Sequence, residues 1–354
     1  LIHQALGLVQ RDSHAEGRLL SMYSLAVCRE VNDFAAAQDA YTRALAIAQR
    51  EKDTGLEIFT LAAAASIDAF QGHFQDSLEK SLRGLELARG VDNPWAEIQV
   101  QFWAALDRYS TGDLQGAKPH LKGLREVAER IRERSWLASA YFTNAQASNY
   151  QGDWEAARQF SEQGLAALSM DSRCLAPRMQ LEFELGEFDL GEPYLERLLD
   201  AMRNTAPGPK VEYMVPAVVL PLVARVRGTD RHFEAGEAAA NAILTAANSN
   251  AFLTWGARSG LGLLAVQRGD ATAAAEHYAS LGWSRGTAMM VGVSLVLDRL
   301  LGLLAHTMGD LGKSAEHFED SLTFCRKGGY RPELAWSCCD YADCLLQRNG
   351  EGDR

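Results

Sequence analysis

The sequence predicts an all-α chain, a right-handed superhelical solenoid of helix pairs with a period of about 40 residues. Three observations lead there. A short signal recurs: a glycine, a polar or acidic residue, an apolar residue, then a small residue three positions on. It stands at Gly72-His73-Phe74 with Ser77, Gly112-Asp113-Leu114 with Ala117, and Gly152-Asp153-Trp154 with Ala157. It returns at Gly269-Asp270-Ala271 with Ala274 and Gly309-Asp310-Leu311 with Ser314, and Asn32-Asp33-Phe34 with Ala37 is a variant. Gly72, Gly112 and Gly152 are spaced by 40, as are Gly269 and Gly309. Between the signals, apolar residues keep offsets of three and four, as in Phe34, Ala37, Tyr41, Leu45 and Ala48. No segment alternates with period two, so no sheet is expected.

Each element follows from that signal. The glycine or asparagine tolerates the left-handed conformation that ends one helix. The acid then caps the next, accepting from free N–H groups of its first turn and suiting the positive helix end. Leu1 to Gln10 reads as the tail of a helix, and a helix from about Glu16 to Val31 pairs with the one opening at Phe34. The second pair covers about Gly55–Gln71 and Phe74–Arg89, and the third about Pro94–Thr111 and Leu114–Arg132, with Pro94 suited to a first turn. The fourth covers about Ser135–Gln151 and Trp154–Leu168; the fifth is shorter and turns at Gly186-Glu187-Phe188. In the sixth, the first helix, about Val211–Arg227, contains Pro216 and Pro221, which are expected to kink or break it. Its partner begins near Phe233, the seventh and eighth pairs return to the 40-residue beat, and a last helix covers about Pro332–Arg348. Asn204 to Lys210 is the one linker-like stretch. It divides the chain into N-terminal repeats (1–203) and C-terminal repeats (211–354), with 204–210 as linker and hinge.

Composition narrows the function. The net charge is −11 and no run of Lys or Arg occurs, which argues against direct nucleic-acid binding by this fragment. Apolar stretches are interrupted well short of the roughly 20 residues a membrane span requires, so no membrane is expected. The chain starts at Leu1 without a leader pattern and reads as a piece cut from a longer protein. Six cysteines show no C-x-x-C pairing, which suits a reducing, cytoplasmic setting.

Motifs for chemistry fail on context. Gly312-Lys313-Ser314 resembles the end of a phosphate-binding loop, but Thr307 stands where that loop needs glycine, and a helix precedes it. Gly260-x-Gly262-x-x-Ala265 mimics a dinucleotide fingerprint from inside a helix. His277 and His317 are one repeat apart, which suits a shared surface or packing role. Cys338, Cys339 and Cys344 are expected in core packing, and Glu182 and Glu184 on a solvated helix face. No ligand spacing or catalytic constellation is present. The chain is therefore expected to be no enzyme, with no cofactor and no metal.

The helix pair with its Gly-Asp-aromatic turn resembles the tetratricopeptide repeat. With the turn glycine as position fifteen, the family's small position twenty reads Ala37, Ser77, Ala117, Ala157, Gly191, Gly236, Ala274 and Ser314. Position eight reads Leu25, Ala65, Ala105, Ala145, Met179, Ala224, Gly262, Gly302 and Ala342, with Leu25 and Met179 departing from the pattern. Small residues there let paired helices approach closely. The longer period is similar to the sensor arrays of LuxR-type regulators like the maltose-regulon activator, and to arrays joined to nucleotide cyclases. In such proteins an ATPase module precedes the array. The tail Gly329 to Gly350 carries most of that second resemblance.

The resemblance implies that first helices line a concave groove. The positions it assigns there are Phe102, Tyr109, Phe142, Gln146, Asn149, Arg173, Gln180, Arg225, Arg299 and His306, with Asp343 beyond. Aromatic, amide and guanidinium side chains together suit a protein or peptide partner, or a polar small-molecule effector. The implied function is a non-catalytic sensing or interaction array, covalently joined to ATPase and output domains of a transcriptional regulator or nucleotide cyclase. A free-standing scaffold for peptides or protein tails is the alternative. As surface residues, Gln146 and Arg173 should tolerate alanine within ~0.5 kcal/mol of stability.

Overall fold

The computed structural model describes residues 2–350 and 352–353. The fold is all-α, a solenoid-type array of tetratricopeptide-like helix pairs; among the described residues β-pairing is limited to one bridge, Ala288 with Val296. Helix α1 (Ile2–Leu6) precedes the pairs α2 (His14–Val31) with α3 (Phe34–Glu51), and α4 (Thr54–Phe70) with α5 (Phe74–Ala88). Next come α6 (Pro94–Ser110) with α7 (Leu114–Ile131), α8 (Arg134–Gln151) with α9 (Trp154–Ala167), and α10 (Ser172–Glu184) with α11 (Phe188–Arg203). Then follow α12 (Val211–Arg227) with α13 (Phe233–Leu244), α14 (Ala251–Arg268) with α15 (Ala271–Leu281), α16 (Leu297–Thr307) with α17 (Leu311–Gly328), and α18 (Arg331–Arg348).

The turn chemistry accounts for these boundaries. Asp33, Asp153, Asp270 and Asp310 each accept from backbone N–H groups in the first turn of the helix they open. Gly72, Gly112, Gly152, Gly269 and Gly309 all have positive φ, between 64° and 88°. Every residue at the small position twenty is buried, from Ala37 to Ser314. One such crossing is bonded directly: Ser314 Oγ donates to the Gly302 carbonyl at 2.9 Å.

The chain forms two compact units. The first holds the chain through Arg108, then Gly116–Leu137 and Asn248–Phe252; the second holds Tyr109–Gln115, Ala138–Ala247 and everything from Leu253. The core of the first includes Val27, Cys28, Ala37 and Ile67, and a further cluster of Ile58, Ala62, Ala96 and Val100. In the second, Leu303, Ala315, Phe318 and Cys344 pack together. Residues 204–210 lie inside the second unit.

Three expectations are corrected, and one irregularity in the eighth pair is added to them. Helix α12 runs unbroken through Pro216 and Pro221. The eighth pair lacks the front of its first helix: α16 starts only at Leu297, and residues 286–296 form an irregular loop that is buried from Thr287 on. Gly286 and Gly292 adopt positive φ there, and Val291, Val293 and Val296 are β-branched, so the stretch is a poor helix. Cys338 and Cys339 are exposed, while Cys344 is buried. Glu182 is fully buried, gripped by Arg158 at 2.6 Å and Arg178 at 2.7 Å. Burial raises its pKa, but the two guanidinium bonds outweigh that and hold it below the usual value.

Candidate functional site

In the second unit, side chains from α8, α10, α18 and the end of α6 converge on the 286–296 loop. Its residues from Ala288 to Val296 are all buried. The loop doubles back on itself: Met289 N–H donates to Leu295 O and Leu297 N–H to Thr287 O, both at 2.9 Å. Its tip has few backbone partners of its own, and side-chain amides supply them. Gln146 Nε2 donates to Met289 O at 2.9 Å and Val293 O at 2.7 Å, while its Oε1 accepts from Gly292 N–H at 2.9 Å. Gln180 brackets one residue, donating to Ser294 O at 2.9 Å and accepting from Ser294 N–H at 2.7 Å.

Tyrosines complete the grip. Tyr150 Oη donates to Met289 O at 2.8 Å and accepts from Leu295 N–H at 3.3 Å. Tyr109 Oη donates to Met290 O, and Tyr330 Oη to Tyr109 O. Burial pushes the phenols of Tyr150 and Tyr330 well above their ordinary pKa, so both remain protonated donors. All these bonds read backbone atoms, which any sequence presents.

A buried ionic layer adjoins the loop. Arg299 pairs with Glu333 at 2.7 Å and Asp340 at 2.8 Å, and Arg225 reaches the other Asp340 oxygen at 2.7 Å. Glu333 also accepts from Val296 N–H at 2.7 Å. Burial raises the Asp340 pKa, but Arg299 and Arg225 outweigh it and lower the carboxyl overall; for Glu333 burial wins and the net direction is up. Glu184, accepting from Gln180 at 2.7 Å, is pushed up to about 7 by burial.

The remaining groove positions are placed as follows. Phe142 is buried, and the Arg173 guanidinium lies 4.9 Å from its ring centre. Arg173 is held by Asp171 at 2.6 Å and Ser139 at 3.1 Å. Asn149 Nδ2 donates to Pro177 O at 2.8 Å. His306 bonds Gln347 at the surface, and Asp343 is exposed. In the first unit, half-buried Phe102 packs edge-on against Trp103 and Trp136. The structure therefore corrects the view of Gln146 as a surface residue: it is fully buried, with both ends of its amide bonded.

An accessible concavity lies in the first unit, a cleft of about 340 Å³ between α2, α4 and α6, lined by Arg18, Met22, Phe59 and Trp95. Met22 and Trp95 are 49% and 53% exposed. Asp53 and Asn93 stand at its rim. Asp53 accepts from Leu56 N–H and pairs with His14 at 2.5 Å, which together hold its carboxyl below the usual range. Among the described residues Arg18 has no ion-pair partner. Counted with the turn residue as position fifteen, Met22 shares position five with Phe102 and Phe142, and Phe59 shares position two with Arg173, so the same register points to them.

No protein-family model matches the sequence, and no curated protein does. The structure of a Rap protein complexed with competence and sporulation factor is similar in fold, with TM-score 0.50 and 13% identity over 96% of this chain and 80% of that one. A tetratricopeptide repeat protein from Parabacteroides merdae aligns over 91% of this chain and 99% of its own, with TM-score 0.33 and 13% identity.

Proposed function

We propose that this chain is a non-catalytic interaction array that binds a peptide or protein segment on its first-helix faces. In this reading it is the sensing part of a larger signalling ATPase regulator, a transcriptional regulator or a nucleotide cyclase. The observation that carries the binding role is the grip on residues 286–296. Gln146 and Gln180 engage N–H and C=O of one polypeptide stretch together, which is how a repeat array can hold peptide backbone. In the second unit that capacity is taken up by the chain itself. The cleft of the first unit is where an outside segment has room. Its Trp95, Met22 and Phe59 suit a large apolar side chain, and Arg18 suits a neighbouring carboxylate. The Rap protein, complexed with competence and sporulation factor, supports a partner-binding role by likeness of fold.

Selection from a displayed random-peptide library on the intact chain, followed by anisotropy titration of the enriched peptide, tests this. Peptides pairing a bulky apolar residue with an acid are expected. Trp95→Ala and Arg18→Glu should each weaken binding about tenfold, a loss of ~1.4 kcal/mol, without moving the melting temperature. No enrichment over blank support, or binding indifferent to both substitutions, would rule the cleft out. An ATPase module encoded in the same reading frame supports the regulator reading; its absence favours a free-standing scaffold.

A further inference from the structure

We propose that Asp298, His317 and Asp320 form a binding site for a zinc-like divalent cation at the entry to the buried loop. Asp298 and His317 have side chains only 2% and 3% exposed. Asp298 Oδ2 accepts from Gly286 N–H at 2.7 Å, but its Oδ1 has no hydrogen-bond partner. His317 Nε2 bonds the Tyr278 hydroxyl at 2.9 Å, and its Nδ1 likewise has no partner. These two unpartnered atoms face each other at 3.6 Å. That is too long for a good hydrogen bond. It is close to the about 3.3 Å that separates two ligands on one tetrahedral zinc ion at zinc–ligand distances of about 2.0 Å.

Asp320 lies three residues beyond His317 on α17, so the two share a helix face. Its carboxylate completes a set of three ligand atoms lying within 4.8 Å of one another. Nitrogen and carboxylate oxygen in this number suit zinc, with water in the remaining position. The local charge agrees. Among the described residues Arg285 is the one Lys or Arg at ion-pair distance from Asp298, Glu316 and Asp320; it is 2.5 Å from Asp320, 3.0 Å from Glu316 and 3.9 Å from Asp298. Three carboxylates against one guanidinium leave an excess of two negative charges. Arg285 is half exposed and can keep Glu316 while yielding Asp320 to an ion. The bond from Gly286 N–H to Asp298 Oδ2 then ties the ion to the first residue of the loop. The competing reading is that the three ligand atoms hold no ion.

Zinc titration of the intact chain, by calorimetry and by competition with a chromogenic chelator, separates the two. One equivalent should bind, and cobalt in its place should give the visible absorption of a tetrahedral site. Asp320→Asn, at an exposed position that leaves the fold intact, should weaken binding at least tenfold, and His317→Gln further. His277→Gln, one repeat away, should bind as wild type. Zinc should also move the NMR resonances of the His317 ring. Equal zinc affinity in wild type and Asp320→Asn, or His317 ring resonances unmoved by saturating zinc, would overturn the site.

Discussion

Gly260 and Pro221 account for each other. Proline has no N–H to give the carbonyl one turn back, so Pro221 leaves the Ala217 oxygen without its helical donor. Gly260 of α14 closes over that oxygen; a methyl on Gly260 would stand 2.0 Å from it. Gln267, further along α14, donates to the Pro221 carbonyl at 3.0 Å. The helix that the prolines were expected to interrupt thus continues, with Gly260 packed directly over the orphaned Ala217 carbonyl and Gln267 bonding the chain one turn further on. Gly260→Ala should lower stability by about 3 kcal/mol, the upper end of overpacking costs, read as a shift of the urea midpoint. Gly262→Ala is the control: the nearest atom to its added methyl is Leu304 at an ordinary 3.5 Å, so its midpoint should hold or rise. The repeat register singles out Gly262, at position eight, as the site of close approach; the tighter of the two is Gly260, because Ala217 of another repeat lies against it.

At the scale of elements, the turns were legible because their chemistry is local. Asp33, Asp153 and Asp310 cap within three residues of themselves, and a short window of sequence contains the whole cause. The 286–296 loop was not legible for the opposite reason. The repeat register names Gln146 and Gln180, but the groups they bond lie 143 and 114 residues further on. Gly286, Gly292 and the three valines are the local residues that disfavour a helix there. Gln146→Ala should cost about 2–4 kcal/mol, since it orphans the Gly292 N–H and leaves a void. Urea melts give the total, and hydrogen exchange should show the Gly292 amide losing protection before amides of α9 do. An unchanged midpoint would mean that the loop is held by its apolar side chains alone. The proposed metal ligands are split over two consecutive helices, which no single-helix spacing reveals: His317 and Asp320 are near neighbours, but Asp298 comes from the preceding helix.

For the molecule as a whole, the stretch between α11 and α12 is the weak point for proteases. Arg203, Asn204, Ala206, Pro207 and Lys210 are exposed, and little of the backbone there is in regular structure. Brief trypsin treatment should cut first after Arg203 or Lys210, giving termini that mass spectrometry identifies; first cuts elsewhere with this stretch intact would put the weak point in another loop. The buried loop also sets a schedule for biosynthesis. A ribosome delivers Gln146 long before Met289, and at about 5–20 residues per second the interval is on the order of ten seconds. Through that time Gln146 lacks its loop partners, Gln180 has only Glu184 of its own helix, and the face they will share with the loop stays wet. Such late, long-range closure is slow and leaves apolar surface uncovered meanwhile. The newborn second unit is therefore at its most vulnerable to aggregation, and most in need of a chaperone, in the seconds before residue 296 leaves the exit tunnel.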